Sequence, residues 1–138
     1  MLWIGTVGSQ SCTWTALTRR ADVALGIRKD GLREFADSNG YTHFLDSSDW
    51  QVKVWGAVNN TDVHLHVVLD GFQGTTASEK FLNAYVNGAG NNWYATEWEM
   101  YQIGLALRTG SRSWDSITFY QGGKVVHFDQ PELPVPGR

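Results

Sequence analysis

The stretch DVHLHVVLDGF, residues 62–72, constrains the fold more than any other part of the chain. In an extended backbone Val63, Leu65, Val67 and Leu69 share one face, and His64, His66, Val68 and Asp70 share the other. A strand is therefore predicted there, ended by Gly71. Helical patterns flank it. DSSDWQVKVWGAVNN reads as a helix started by Ser48 or Asp49 and stopped by Asn59 and Asn60. After the strand, Thr76 and Glu79 have capping-box spacing in front of a helix running to about Val86.

The same alternation extends outward. Leu2 to Val7 reads as a short buried strand, followed by a mostly helical pattern from Thr15 to Ser38 with Gly26 and Gly31 as break points and Asn39-Gly40 as its stop. YTHFLD, Tyr41 to Asp46, reads as a second strand. Beyond the breaker NGAGNN a helix is expected from about Glu97 to Arg108, stopped by Gly110. SITFY, the turn QGG and KVVHF then form a hairpin signature. Strands alternating with helices predict an α/β fold. The expected form is a three-layer sandwich with a mostly parallel central sheet of four to five strands and a C-terminal antiparallel hairpin. One domain is expected over residues 1–130, with 131–138 (PELPVPGR) as an extended or disordered proline-rich tail.

Composition narrows the function classes. The 138 residues are 42% hydrophobic and 18% charged, which is globular, and seven tryptophans imply a ring-rich core or a ring-lined pocket. No apolar run approaches the ~20 residues of a membrane span, and MLWIGTVGSQ lacks the pattern of a signal peptide, so no membrane partner is expected. Cys12 is the single cysteine, which excludes an internal disulfide and a cysteine-rich metal site. The net charge of −3, without a long basic run, disfavours a nucleic-acid substrate.

In open α/β sheets ligands bind beyond the carboxyl ends of the strands. HFLD and VVLD both finish on an aspartate, which makes Asp46 and Asp70 candidates. Between them in character lies TEWEMYQIGLA. Thr96 and Glu99 have the spacing of a capping box, so Glu99 is either a cap or a reacting group. At 100° per residue Glu99 falls next to Ile103 and Ala106, beside the apolar stripe of Met100, Ile103 and Leu107, and Glu97 falls near Arg108 and Gly104; small residues there are expected to leave room for a ligand. Such a carboxylate has a raised pKa or serves as a protected nucleophile. Glu97 is its neighbour, and Trp93, Tyr94 and Trp98 could stack on a base or fill the core.

His64 and His66 could bind zinc, although no third ligand is apparent, and the expected metal set is none. His43 and Asp46, three apart, lie on opposite faces of their strand. GTVGSQS could offer amides to a phosphate, as could Arg19, Arg20 and Arg112, with a tight turn and solvated surface as the plain alternatives.

DVHLHVVLDGF, ATEWEMYQIGLALRTG and SITFY together, residues 62–126, resemble the nucleoside 2-deoxyribosyltransferases. In that family a Leu-Asp-Gly strand end precedes a Gly-Thr-x-x-Glu-Ile-Gly-x-Ala helix. The resemblance implies that Glu99 is the nucleophile on the sugar carbon, that Asp70 belongs to the same site and that Thr96 is the family's threonine. Ala95 stands where the family has glycine, and the Gly-x-Ala comes three residues late, as Gly104 and Ala106.

LREFADSNGYTHFLDSSDWQVKVWGAV, VHLHVVLDGF and TEWEMYQIGLALRTGSRSWDSITFYQGGKVV resemble C-terminal toxin domains of bacterial polymorphic toxin systems, type 27. That resemblance implies a secreted or delivered effector domain acting in the target-cell cytoplasm, with a cognate immunity protein as partner. The expected function is hydrolysis of an N-glycosidic bond in a nucleotide-type small molecule, foremost NAD(P), without a cofactor. Glu99, Glu97 and Asp70 are the expected catalytic residues, with Asp46, Thr96, Trp93, Tyr94 and Trp98 binding substrate. The alternatives are a nuclease built on His64, His66 and Asp70, and a noncatalytic binding module with the tryptophans as its ligand surface.

Overall fold

A computed structural model describes residues 21–90 and 94–135. The expected Leu2–Val7 strand, the GTVGSQS turn, Cys12, Arg19, Arg20 and Trp93 lie outside them. In chain order the elements are β1 (Ala21–Gly26), α1 (Lys29–Asn39), α2 (Trp50–Val58), β2 (Val63–Val68), α3 (Ala77–Gly88) and α4 (Ala95–Thr109). They are followed by β3 (Ile117–Gln121) and β4 (Lys124–Val125). The sheet order is β1-β2-β3-β4, with the first three strands parallel and β4 antiparallel to β3.

The register explains the layers. Val23, Leu65 and Ile117 lie side by side across the sheet, as do Leu25, Val67 and Phe119. This face joins Val54, Phe81, Met100 and Ile103 in the larger core, beneath α2, α3 and α4. The opposite face carries Ala24, which packs with Leu32 and Ala36 of α1. A mostly parallel sheet between one helix on one side and three on the other is the expected α/β arrangement.

Two segments differ from expectation. Ala21–Gly26 is β1, where helical pattern was expected, and the helix begins only at Lys29. ADVALG is rich in helix formers, but Val23 and Leu25 alternate with Asp22 and Ala24, and its pairing along all of β2 outweighs local propensity. Tyr41–Asp46 is not a strand. Only Thr42 bridges to Val23, with the Thr42 amide donating to Asp22 O at 3.0 Å and the Ala24 amide to Thr42 O at 2.8 Å. The Leu45 amide then donates to His43 Nδ1 and the Ser47 amide to Phe44 O, which curls the chain into a turn instead of a ladder.

The helices that carry the acidic residues cross closely. On Gly104 of α4 a Cβ would stand 2.1 Å from Cδ1 of Tyr85 in α3, and on Gly88 it would stand 2.1 Å from the Glu97 carbonyl oxygen. The room beside Gly104, expected to be left for a ligand, is filled by the Tyr85 ring. Ala106 is likewise buried in the core. After β4 the chain continues extended over this unit. Phe128 stacks on Phe119 at 3.9 Å, Leu133 packs on the core, and the Tyr85 hydroxyl donates to Pro134 O at 2.7 Å.

Arg112 is neither a phosphate ligand nor a surface group: it is 5% exposed. Its Nε donates to Val58 O, its Nη2 to Ala57 O and Asn60 O, and its Nη1 to Val63 O and Ser116 Oγ. One guanidinium thus closes the last turn of α2 and fixes the entry to β2.

Candidate active site

The cleft lies beyond the carboxyl ends of β1 and β2, where parallel sheets place their ligand sites. It has two lobes. The larger, about 950 Å³, runs between the end of β1, the start of α1, the turn at Asp46 and the start of α4, with Glu99 in its lining. The smaller, about 480 Å³, is lined by Asp70, Glu97, Asn83 and Asn87 among others. Ile27, Arg28, Tyr94 and Thr96 line both lobes, so they form the partition between them.

The start of α4 separates the two glutamates. Its N-cap is Tyr94, two residues earlier than a Thr96 cap would require. Glu97 therefore occupies the third helical position, and its Oε1 accepts the Tyr94 amide at 3.0 Å while Oε2 accepts from Asn87 Nδ2 at 3.3 Å. Glu97 closes the helix start. Glu99, expected either to cap Thr96 or to react, is released from capping. It lies next to the Met100 and Ile103 stripe at 6% exposure.

Among the described residues, the one hydrogen bond that reaches the Glu99 carboxylate comes from the Gly26 amide to Oε1 at 3.4 Å. Burial raises its pKa to about 8 against the weaker opposing pull of that amide. At neutral pH the carboxyl is thus mostly protonated. Glycine at position 26 is required twice over: its φ is 114°, and a Cβ there would stand 2.2 Å from Val68 O. This close approach ends β1 and turns its amide toward α4.

Asp70 follows β2, and both its carboxylate oxygens accept the Gly122 amide, at 3.0 and 3.1 Å, so it pins the β3–β4 turn while lining the smaller lobe. Asp46 lines the larger lobe from a turn rather than a strand end. Arg33 donates to its two oxygens at 2.8 and 2.9 Å, and this bidentate pair holds its carboxyl below the usual range. Thr96 and Tyr94 line both lobes. Trp98 packs on the core and stacks at 5.1 Å on Trp50, and it is Trp50 that lines the larger lobe.

The histidines are used elsewhere. His66 is 6% exposed; its Nε2 lies 2.8 Å from Asp22 Oδ1, its Nδ1 lies 2.8 Å from the Tyr120 hydroxyl, and Tyr41 stacks on its ring at 3.8 Å. Burial, with the hydrogen bond to Tyr41, pushes the Tyr120 hydroxyl up to about 12; the Asp22 carboxylate only accepts, so His66 Nε2 donates to it. His64 bonds Thr118 Oγ1 at 2.7 Å. Asp70 belongs to neither set of bonds, and no group of three or more metal-binding side chains occurs among the described residues. The proposed His64, His66 and Asp70 cluster is therefore not assembled.

Arg28 and Trp50 carry no mark of a site in the sequence: Arg28 takes its place from the end of β1, which depends on pairing with β2, and Trp50 from the start of α2. The signal that was present is Gly26 itself, a glycine directly after an alternating apolar run.

A family model described as bacterial toxin 27 matches residues 35–124, more than half of the chain. No curated protein and no solved structure matches it.

Proposed function

The chain belongs to the bacterial toxin 27 family, and from that premise we propose that it is a delivered toxin domain that hydrolyses an N-glycosidic bond in a nucleotide-type small molecule, foremost NAD(P). The observation that carries the reading is Glu99: a buried carboxyl, freed from helix capping, in the lining of the larger lobe.

The chemistry follows from its surroundings. A buried carboxyl with no cationic neighbour among the described residues is neutral until a cation enters, and a nicotinamide riboside carries that charge on its ring. Bound beside Glu99 the ring favours the ionised form. The C1′–N bond then breaks with its electron pair moving to the ring nitrogen, which leaves as neutral nicotinamide without needing an acid. The carboxylate stabilises the oxocarbenium character at C1′, or traps that carbon covalently, before water adds its oxygen there and gives up a proton. Asp70 and Glu97 assist from the smaller lobe as hydroxyl acceptors. The domain acts in the target-cell cytoplasm and is blocked by a cognate immunity protein; no helix among the described residues is long and apolar enough to cross a membrane.

The test is to incubate the purified domain with NAD⁺ and NADP⁺ and to follow free nicotinamide by mass spectrometry, beside Glu99→Gln. The expected result is release by the unsubstituted domain and loss with the variant. A folded Glu99→Gln domain with full activity would overturn the role of Glu99. Intact nucleotide pools in dying cells would redirect attention to the histidine face and to nucleic acid.

A further inference from the structure

The cleft is larger than one nucleoside needs, and its two lobes differ in chemistry. Each lobe lies in the range of about 300–1,000 Å³ that holds a drug-sized ligand, at about 950 and 480 Å³. The larger contains the buried Glu99, whose Oε2 has no hydrogen-bond partner among the described residues. The smaller presents the carboxylates of Asp70 and Glu97 with the side-chain amides of Asn83 and Asn87. That lining suits hydroxyl and amine donors and repels phosphate.

Between them stands Arg28. Its guanidinium lies 5.2 Å from the Tyr94 ring centroid and forms no ion pair with a described carboxylate. Arg28 is also the N-cap of α1, where no side chain caps the first-turn amides. An anion at this partition would meet both the guanidinium and the positive end of the helix. Asp30, also in the lining of the larger lobe, opposes this, and Arg33 is already spent on Asp46.

Resting on the reading of Glu99 given above, we infer that the two lobes take the two halves of one dinucleotide. The reacting nicotinamide riboside lies beside Glu99, the diphosphate on Arg28, and the second nucleoside in the acidic smaller lobe. The second ribose must then be unphosphorylated, because a 2′-phosphate would face Asp70 and Glu97. The substrate is NAD⁺ rather than NADP⁺, and an intact dinucleotide rather than its mononucleotide.

The experiment compares kcat/KM for NAD⁺, NADP⁺, nicotinamide mononucleotide and nicotinamide riboside, and measures ADP-ribose binding by calorimetry, with the unsubstituted domain, Arg28→Ala and Asp70→Asn. The expected result is at least a ten-fold preference for NAD⁺ over the other three. Arg28→Ala should raise KM for NAD⁺ at least ten-fold with kcat held, and raise that for the phosphate-free riboside far less. Asp70→Asn should narrow the gap between NAD⁺ and NADP⁺. Equal use of NADP⁺ or of the mononucleotide, or an Arg28→Ala loss uniform across all four, would overturn the inference.

If none of the four is hydrolysed, the glycosidase reading fails and the binding arm decides the inference alone. ADP-ribose binding weakened at least ten-fold by Arg28→Ala supports a dinucleotide site. Absent or Arg28-independent binding overturns it.

Discussion

The Gly26 amide, at the last position of β1, donates to Oε1 of Glu99 across 73 residues of sequence, at 3.4 Å. One long bond is weak compensation for placing a carboxyl out of water, so the neutral form wins and the apolar burial of Met100 and Ile103 around it holds it there. Stability and chemistry are thereby opposed at this residue.

The first expected outcome concerns stability. The pKa of Glu99 is raised in the folded chain to about 8 from 4.5. Between those values the folded state holds a proton that the unfolded state releases, so stability falls as pH rises through that window and levels off above it. Glu99→Gln removes the effect. It should match the unsubstituted domain at pH 4 and exceed it at pH 8 by roughly 2–4 kcal/mol. Urea titrations at the two pH values check this, and an equal gap at both would contradict a buried neutral carboxyl.

Rate should move the opposite way. If the ionised form is the reactive one, kcat/KM rises about ten-fold per pH unit below the Glu99 pKa and is flat above about 8. The break in kcat belongs to the complex and lies lower, because a bound pyridinium favours the carboxylate. A kcat/KM that declines above pH 8 would assign Glu99 as an acid instead.

Glu97→Ala tests the division of labour on α4. Loss of the carboxylate that accepts the Tyr94 amide costs ~1 kcal/mol, as other caps do. The break near pH 8 in kcat/KM should stay where it is. A shifted break would mean that the capping bond at Tyr94 helps to hold Glu99 in its buried place.

Arg112→Ala should be the most damaging of these substitutions. It removes a donor from the carbonyls of Ala57, Val58, Asn60 and Val63, of which Ala57 and Asn60 keep the backbone amides of Asn60 and Val63. The expected cost is about 3 kcal/mol or more, at roughly 1–3 kcal/mol for an unsatisfied buried group. A thermal unfolding midpoint within a degree of the unsubstituted domain would show that water replaces the guanidinium.

Gly104→Ala should destabilise although alanine is the better helix former by ~1 kcal/mol. The added methyl meets the Tyr85 ring, and overpacking costs about 1–3 kcal/mol. A gain in stability would show that α3 and α4 can part.

Much of this was legible in the chain. β2 reads directly because Val63, Leu65 and Val67 alternate with His64 and His66, and α2 stops at Asn59 as its composition predicts. Thr76 accepts the Glu79 amide as a cap should, although the Glu79 carboxylate returns to Thr75, one residue early. The start of α4 was not legible. Two boxes two residues apart compete there, and tyrosine is not a capping residue by type, so only the path of the backbone decides that Tyr94 and not Thr96 begins the helix. Asp46 lies in the lining of the larger lobe, on a turn and not at the strand end expected for it. The histidines kept to one face as read, but their partners Asp22, Thr118 and Tyr120 sit on neighbouring strands, and no local pattern reports that.

The hydroxyl bond from Tyr85 to Pro134 has a consequence in time. Tyr85 is the ring wedged against Gly104 where α3 meets the helix bearing Glu97 and Glu99. Its last polar anchor is supplied by residue 134, which a ribosome adds long after the helices themselves. The packing of α3 on α4 behind the cleft is therefore complete only once the segment after β4 has been made and laid over them.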